Sequence, residues 1–410
     1  MNHKHILLVG RSRDLHAKIK PLGLKATLMI ETAKLSDEPL SPVYERVVSL
    51  PQGANDSEWI TWAKAIHQIQ PVTAIGAFTE TREKVALAIA NAIGLPFHDA
   101  SIIELMHEKD MMRAKLHDIG LDDTNFARLA KDSPIGVIEE TACKMGFPLV
   151  LKPVNARGSL GVRILNSKID LHPAIETLRQ VAPKCDLVLE QLLDGREFSI
   201  EAFSESGRHK IAAVTEKFKD SFTSIETGQL IPARISTHEY EEICIFVKKL
   251  LNSLNVTHGP SHTEVFLTKQ GVRLVESHTR LGGDRISKLI ELVSGADLEE
   301  LWIRQTAGES VIDKVPQIAP VSDKCATVQY SFLRKAGIIR RIETDTSELS
   351  ADPRIVELNP LLQTGQEGTP NPIDSFSRSA EAIATGTSPE DAIAAAQSAL
   401  QRIKYHLEPK

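Results

Sequence analysis

The chain has 410 residues, 42% of them hydrophobic and 25% charged, a soluble globular balance with room for two or three domains. The formal net charge is −6 with no basic run or stripe, so no nucleic-acid partner is expected, and no stretch approaches the roughly 20 apolar residues that cross a bilayer, so no membrane partner is expected either. Cys143, Cys185, Cys244 and Cys325 form no CxxC and no zinc spacing, and read as reduced thiols of a cytoplasmic protein.

The apolar run Ile6–Val9 is too short for a secretory signal and reads as a buried strand entering a turn at Gly10. Further strands are expected at Ala26–Ile30, Arg46–Leu50 and Val72–Phe78. Helical patterns lie between them at Asp14–Lys20, Glu58–Gln70 and Arg82–Ile93. Strands alternating with helices predict a parallel sheet covered on both faces. The loop after the first strand holds a single glycine, so it lacks the GxGxxG spacing that lets a backbone approach a dinucleotide pyrophosphate.

A helix is expected from His107 to Gly120. Lys109 at its start opposes the macrodipole, which favours acidic residues there. It reads either as a solvated lysine or as a phosphate ligand. Gly146–Leu151 is an apolar strand that closes on Lys152, and the glycine loop Arg157-Gly158-Ser159-Leu-Gly161 follows before another strand. This is strand–loop–strand, unlike a Walker A motif, yet its glycines would let N–H groups approach an anion that Lys152 also reaches. Leu187–Glu201 reads as strand, turn and strand, with Glu190 and Glu197 flanking Leu192-Leu193. The backbone of 190–193 suits an adenine edge, and the Glu197 carboxylate suits a ribose diol.

Residues 262–276 predict a hairpin: His262–Leu267, a turn at Lys269-Gln-Gly271, then Val272–Val275 leading into Glu276. Antiparallel pairing would bring Glu264 and Glu276 to one end of the sheet. Two carboxylates with His278 beside them would suit Mg²⁺ or Mn²⁺. Arg280 nearby could hold phosphate oxygens in a fork. A glutamate at a strand end is otherwise a solvated or salt-bridged surface group. Gly282-Gly283-Asp284 reads equally as a substrate-binding turn or as the lead into a helix over Arg285–Val293. At the C-terminus, Ser388-Pro389 starts an amphipathic helix expected over 388–406, with an apolar stripe of Ala392, Ala395, Leu400 and Ile403.

In their order along the whole chain these features resemble the ATP-grasp superfamily. The resemblance implies an α/β (α+β) fold: an N-terminal Rossmann-like parallel-sheet domain (1–107), a small lid subdomain (108–190), a large subdomain with the metal site (191–318) and a C-terminal β-rich lobe (319–410). It further implies ATP and Mg²⁺ (or Mn²⁺) as cofactors. Lys109 and Lys152 would contact the ATP phosphates and Arg157, Gly158, Ser159 and Gly161 would form the mobile loop over them. Glu190, Gln191 and Leu193 would form the adenine hinge, with Glu197 on the ribose. Glu264 and Glu276 would bridge metal ions, and Arg280 would steady an acyl phosphate as the catalytic arginine. One departure is visible. The superfamily has Glu-x-Asn-x-Arg where this chain has Glu276-Ser-His278-Thr-Arg280, so an imidazole softens an all-oxygen site and leaves the metal preference open.

Glu226-Thr-Gly228-Gln-Leu-Ile-Pro232 and two stretches of the tail, Arg334–Ile339 and Asp374–Ala392, are similar to the branch that holds L-amino-acid (dipeptide) ligases. That likeness adds Glu226, Gly228, Gly282, Gly283 and Asp284 as substrate residues. It implies a carboxylate–amine ligase that forms an amide through an acyl phosphate, with small-molecule carboxylate and amine substrates; a homodimer, the commonest soluble oligomer, is the expected assembly. The alternatives are a purine-pathway or biotin-carboxylase-like enzyme of the same superfamily and a non-catalytic nucleotide-binding protein. His262, His278 and Glu216 are unranked as general base for the amine.

Overall fold

The computed structural model describes residues 4–35, 42–155, 161–220, 225–345, 352–372 and 374–408, so Arg157, Gly158 and Ser159 lie outside the described residues. Among the described residues the strands form sheets of four, four, eight and three.

The first sheet is parallel, ordered β3-β2-β1-β4, from β1 (His5–Val9), β2 (Lys25–Glu31), β3 (Arg46–Leu50) and β4 (Ala74–Gly76). Every residue of β1 is buried, as its uninterrupted apolar run requires when helices cover both faces. The helix Asp56–Ile69 begins at a capping box in which Asn55 and Glu58 satisfy each other's backbone N–H groups. Two expectations are trimmed. The helix expected to reach Lys20 stops at Ala17, because Pro21 disfavours helical geometry in the residue before it, and a short 3₁₀ turn follows at Lys20–Leu22. The fourth strand pairs only over Ala74–Gly76; beyond it Phe78 leaves the sheet for an edge-on contact with Trp302, ring centroids 4.8 Å apart.

The second sheet is antiparallel, ordered β5-β8-β6-β7, from β5 (Phe126–Leu129), β6 (Leu149–Pro153), β7 (Arg163–Leu165) and β8 (Leu187–Gln191). The helices Ile135–Met145 and Leu171–Val181 pack on it. The second buries Leu171, Ala174, Ile175 and Leu178, a one-face spacing that meets Leu149, Leu151 and Leu189.

The main sheet takes β9 (Gly195–Glu205), β10 (Arg208–Lys219), β11 (Glu226–Ile231), β12 (His258–Thr268), β13 (Gly271–His278) and β14 (Cys325–Phe332). The chain then adds β15 (Gly337–Thr344), β16 (Ile355–Pro360), β17 (Glu367–Gly368), β18 (Arg378–Gly386) and β19 (Ile403–Glu408). The eight-stranded order is β13-β12-β9-β10-β11-β14-β18-β16, while β17-β15-β19 form a separate small sheet. The last segment of the chain therefore extends the main sheet as well as building its own. One face of the main sheet is covered by the helix Thr237–Ser253, whose Tyr240, Ile243, Val247 and Leu250 meet Phe198, Ile200 and Val265. The other carries the helices Ile286–Ser294 and Leu298–Thr306, which share a core with β1 and β2 of the first sheet.

The C-terminal helix differs from expectation. It spans Pro389–Leu400, capped by Ser388, and buries Ala392, Ala395, Ala396 and Ala399. Ile403 belongs to β19, whose six residues alternate between half-buried and exposed and pair with β15. Period-two alternation and a waiting edge strand override a helical reading of the last residues. No helix among the described residues is long and apolar enough to cross a membrane.

Candidate active site

A cavity of about 400 Å³ lies between the second sheet and the main sheet. β6 and β8 supply Lys152 and Glu190, β9 and β10 supply Glu197 and Lys217, and the β12–β13 hairpin supplies Glu264 and Glu276. Lys109 reaches in from the first turn of the helix Lys109–Asp118.

Neither lysine singled out in the sequence is solvated. Lys152 is 8% exposed, and its Nζ lies 2.7 Å from Glu190. Glu190 is also held by Arg113, with Nε and Nη2 at 3.1 and 3.3 Å. Burial pushes the Lys152 ammonium below its ordinary range, against the pull of Glu190. Burial also opposes the Glu190 carboxylate, but Lys152 and Arg113 outweigh it and hold the carboxyl down at about 2. Lys109 Nζ lies 3.3 Å from Glu276 and donates to the Val154 carbonyl at 3.4 Å.

The hairpin has the expected form, with Glu264 directly opposite Glu276. Glu264 also belongs to a second carboxylate group. Ligand oxygens of Glu197, Glu226 and Glu264 lie within 4.8 Å of one another. Lys217, its side chain 1% exposed, stands among them at 3.2, 2.7 and 2.6 Å respectively. Burial opposes both charges, yet the three carboxylates raise the Lys217 ammonium well above its ordinary range, and Lys217 in turn leads the groups that hold Glu264 at about 2. Glu276 is held well below the carboxylate range, burial being overcome by Lys109 and His278.

Lys217 was not marked by the sequence reading. Its signal is a lysine that ends Ile211–Lys217, a run buried throughout along β10. A lysine in such a position needs charged partners. Arg113 and Glu201 escaped notice for the same reason: one lies mid-helix, the other mid-strand, and their partners are distant in sequence.

The remaining candidates fall as follows. His278 lies 3.3 Å from Glu276 through Nε2 and 3.5 Å from Glu80 through Nδ1. Arg280 sits at the edge of the first domain, where Nε and Nη2 both donate to Glu80 at 3.2 and 3.1 Å and Nη1 to the Leu281 carbonyl at 3.0 Å. Gln191 and Leu193 line the cavity, though the N–H groups of Gln191 and Leu192 already donate to the Asn125 and Pro148 carbonyls. Glu197 meets Lys219 at 2.5 Å as well as Lys217. Gly161 has φ +76°, and a Cβ there would stand 2.7 Å from Leu178, so a glycine is required. Gly228 lies within β11 against Gln329, and its buried position leaves it no open face. The Gly282 N–H donates to Glu201 at 2.9 Å, while Gly283 has open space around it. Asp284 accepts from both guanidinium nitrogens of Arg378 at 2.7 and 2.9 Å. Glu226 lies 3.6 Å from Arg378.

Of the three base candidates, His262 has both ring nitrogens engaged, Nδ1 with Glu201 at 2.5 Å and Nε2 with Glu264 at 3.1 Å. Glu216 accepts a fork from Arg234 at 3.0 and 2.8 Å.

A family model described as an ATP-grasp domain matches residues 145–288, from the turn before β6 to the helix after the Gly282–Arg285 turn. The chain carries an ATP-grasp domain. A second match, described as L-amino acid ligase C-terminal domain 2, covers 329–408. Lys152, Glu190, Glu197, Lys217, Glu264, Glu276 and Arg280 all fall inside the ATP-grasp domain, and Lys109 precedes it. An uncharacterized protein of Sinorhizobium fredii is 22% identical over 325 residues, 78% of this chain and 65% of that one. A D-alanine–D-alanine ligase of Bacillus velezensis is 23% identical over 229 residues, 48% of this chain and 64% of that one. The chain thus spans less than two thirds of either curated relative's length. The crystal structure of L-amino acid ligase from Bacillus licheniformis superposes with a TM-score of 0.83 at 20% identity, covering 100% of both chains, a likeness of fold.

Proposed function

We propose that this chain is an ATP-dependent carboxylate–amine ligase that joins two amino acids or amino-acid-like molecules through an acyl phosphate. The observation that carries the reading is the cross-strand pair Glu264–Glu276 in a cavity shared with Lys109 and Lys152, within an ATP-grasp domain that leads into an L-amino acid ligase C-terminal domain.

ATP is the phosphoryl donor, with its adenine edge at 190–193 and its phosphates toward Lys109 and Lys152. Glu197 reaches the ribose. The carboxylate oxygen of the first substrate attacks the γ-phosphorus, the bond to the β-phosphate oxygen breaks, and ADP leaves. The amine of the second substrate then attacks the acyl carbon, the carbon–oxygen bond to phosphate breaks, and phosphate departs as the amine loses a proton. Phosphorylation turns a poor leaving group into a good one; the protein's task is positioning and charge neutralisation.

The donor set fits a hard divalent cation, because two carboxylates, Glu264 and Glu276, face each other across the hairpin at the cavity. Glu264 and Glu276 would hold Mg²⁺ or Mn²⁺, with His278 adjoining, and the ion would offset phosphate charge during transfer. Lys217 keeps Glu264 ionised, and Lys109 with His278 keeps Glu276 so. Arg280, oriented by Glu80, donates to the transferring phosphoryl group and to the tetrahedral oxyanion. Glu226, Asp284 and the Gly282-Gly283 turn border the substrate side, with Gly228 behind them.

Phosphate release from Mg-ATP, measured across all pairs of proteinogenic amino acids with Glu276→Ala as control, tests the reading. Release that needs a particular pair and disappears in the variant is expected. Release with no carboxylate–amine pair, amino-acid or otherwise, would overturn it.

A further inference from the structure

The buried pair Glu201–His262 has no place in the mechanism above. Glu201 is 0% exposed in the middle of β9, and His262 is 5% exposed on the neighbouring strand β12. The two are direct register partners. A buried carboxylate is costly unless it is fully hydrogen-bonded, and a core pair of this kind is dispensable for folding when apolar residues of similar volume can replace it. The contacts of this pair point at the site. His262 Nδ1 meets Glu201 Oε1 at 2.5 Å, and its Nε2 meets Glu264 Oε1 at 3.1 Å. The second oxygen of Glu201 accepts the Gly282 N–H at 2.9 Å. A Cβ on Gly282 would stand 2.6 Å from both Glu201 and His262, so only glycine lets the turn close on them.

We infer that His262 and Glu201 are positioning residues that fix the Glu264 carboxylate for a divalent cation and tie it to the Gly282–Arg285 turn. This rests on the reading of Glu264 as a metal ligand. Glu201 fixes the ring's orientation through Nδ1, and the ring fixes the plane of the Glu264 carboxylate through Nε2. Lys217 approaches the same Oε1 at 2.6 Å, so two donors set the rotation of one group. Outer partners of metal-ligating groups act in this way, and their removal weakens metal binding by about 10–100-fold. Because Glu201 also holds Gly282, the metal side and the substrate side of the cavity share one buried anchor. It also explains why His262 is not the general base: both ring nitrogens are already engaged.

The test is Mn²⁺ binding followed by electron paramagnetic resonance in the presence of an unreactive ATP analogue, on the full chain. His262→Ala is expected to weaken Mn²⁺ about 10–100-fold, and to leave binding of the analogue without metal unchanged. His262→Gln, whose amide can still donate to Glu264, is expected to recover part of the loss. In turnover assays, the Mg²⁺ concentration for half-maximal rate rises while the rate at saturating Mg²⁺ is largely kept. Glu201→Gln, which keeps shape and the acceptor for Gly282, serves where His262→Ala does not fold. Folded variants that bind Mn²⁺ as the unaltered protein does would overturn the inference alone. Failure of the unaltered protein to bind Mn²⁺ with the analogue would overturn the reading beneath it as well.

Discussion

Glu264 and Glu276 face each other across the β12–β13 ladder, and each carboxylate is bound to a different lysine: Glu264 to Lys217 at 2.6 Å, Glu276 to Lys109 at 3.3 Å. Like charges directly opposite on a sheet repel. Here the two cations offset that repulsion.

Glu276→Gln keeps the side chain's size and removes its charge. Metal-dependent ATP turnover should fall by about 10²-fold or more, in line with loss of a group that acts on developing phosphoryl charge. Steady-state phosphate release measures it, and circular dichroism checks that the fold persists.

Lys217→Met removes the only cation shared by Glu197, Glu226 and Glu264 among the described residues. Three carboxylates then stand within 4.8 Å with their common partner gone. Breaking such a buried arrangement from one side costs about 3–5 kcal/mol. Urea unfolding in metal-free buffer should show that loss, and millimolar Mg²⁺ should restore part of it. Equal loss with and without Mg²⁺ would argue against a cation site here.

Glu190 gives a pH dependence with a definite sign. Its carboxyl lies at about 2 in the fold against an ordinary value of 4.5, burial being outweighed by Lys152 and Arg113. A depressed acid stabilises the fold fully above 4.5 and loses that contribution as pH falls toward 2. The contribution is about 3 kcal/mol at most, at 1.36 kcal/mol per unit. Denaturant unfolding from pH 6 to pH 2 should show a slope that Glu190→Gln flattens, together with weaker ATP binding because Lys152 loses its anchor.

Arg280, two residues past the end of β13, donates twice to Glu80 of the first domain. Arg280→Ala should lower turnover by about 10²–10³-fold. Glu80→Gln should have a smaller effect, because it loosens the guanidinium without removing it. Near-full activity in Arg280→Ala would remove Arg280 from the mechanism.

Arg378 grips Asp284, which has φ +49° beside Arg285 at φ +66°, two residues in a conformation that side chains rarely adopt. Arg378→Ala releases that turn. The KM for the substrate held there should rise about tenfold while the KM for ATP stays put. A change in both would show that the whole sheet had moved instead.

The hairpin was legible because it is local: alternation, a Gly271 turn and two glutamates lie within fifteen residues of one another. The exact facing of the glutamates was not, because a bulge between Glu264 and Val265 shifts the register set by the turn and puts Glu264 opposite Glu276. The first sheet was legible from its apolar runs. The cluster around Lys217 was not, because it is assembled from β9, β10, β11 and β12, and strand order is set by packing between segments far apart in sequence. The Glu201–His262 pair was half visible. His262 drew notice as one of three unranked candidates for the general base, but only its partner on β9 showed that the ring is engaged on both sides. The tail was misread where a helical stripe and a strand alternation compete: the Ala-rich face ends at Leu400, and the edge of β15 decides the rest.

By itself the sequence determined most of the element types, the hairpin that carries Glu264 and Glu276, and the two lysines, since each depends on periodicity, turns or side-chain chemistry within a short window. The tertiary structure alone decided which charges meet. Lys152 with Glu190 and Arg113, Lys217 with three carboxylates, Arg280 with Glu80 and Arg378 with Asp284 are pairings across strands and domains. The physical reason is that a buried charge needs a partner wherever the fold can bring one, and sequence distance carries no information about that.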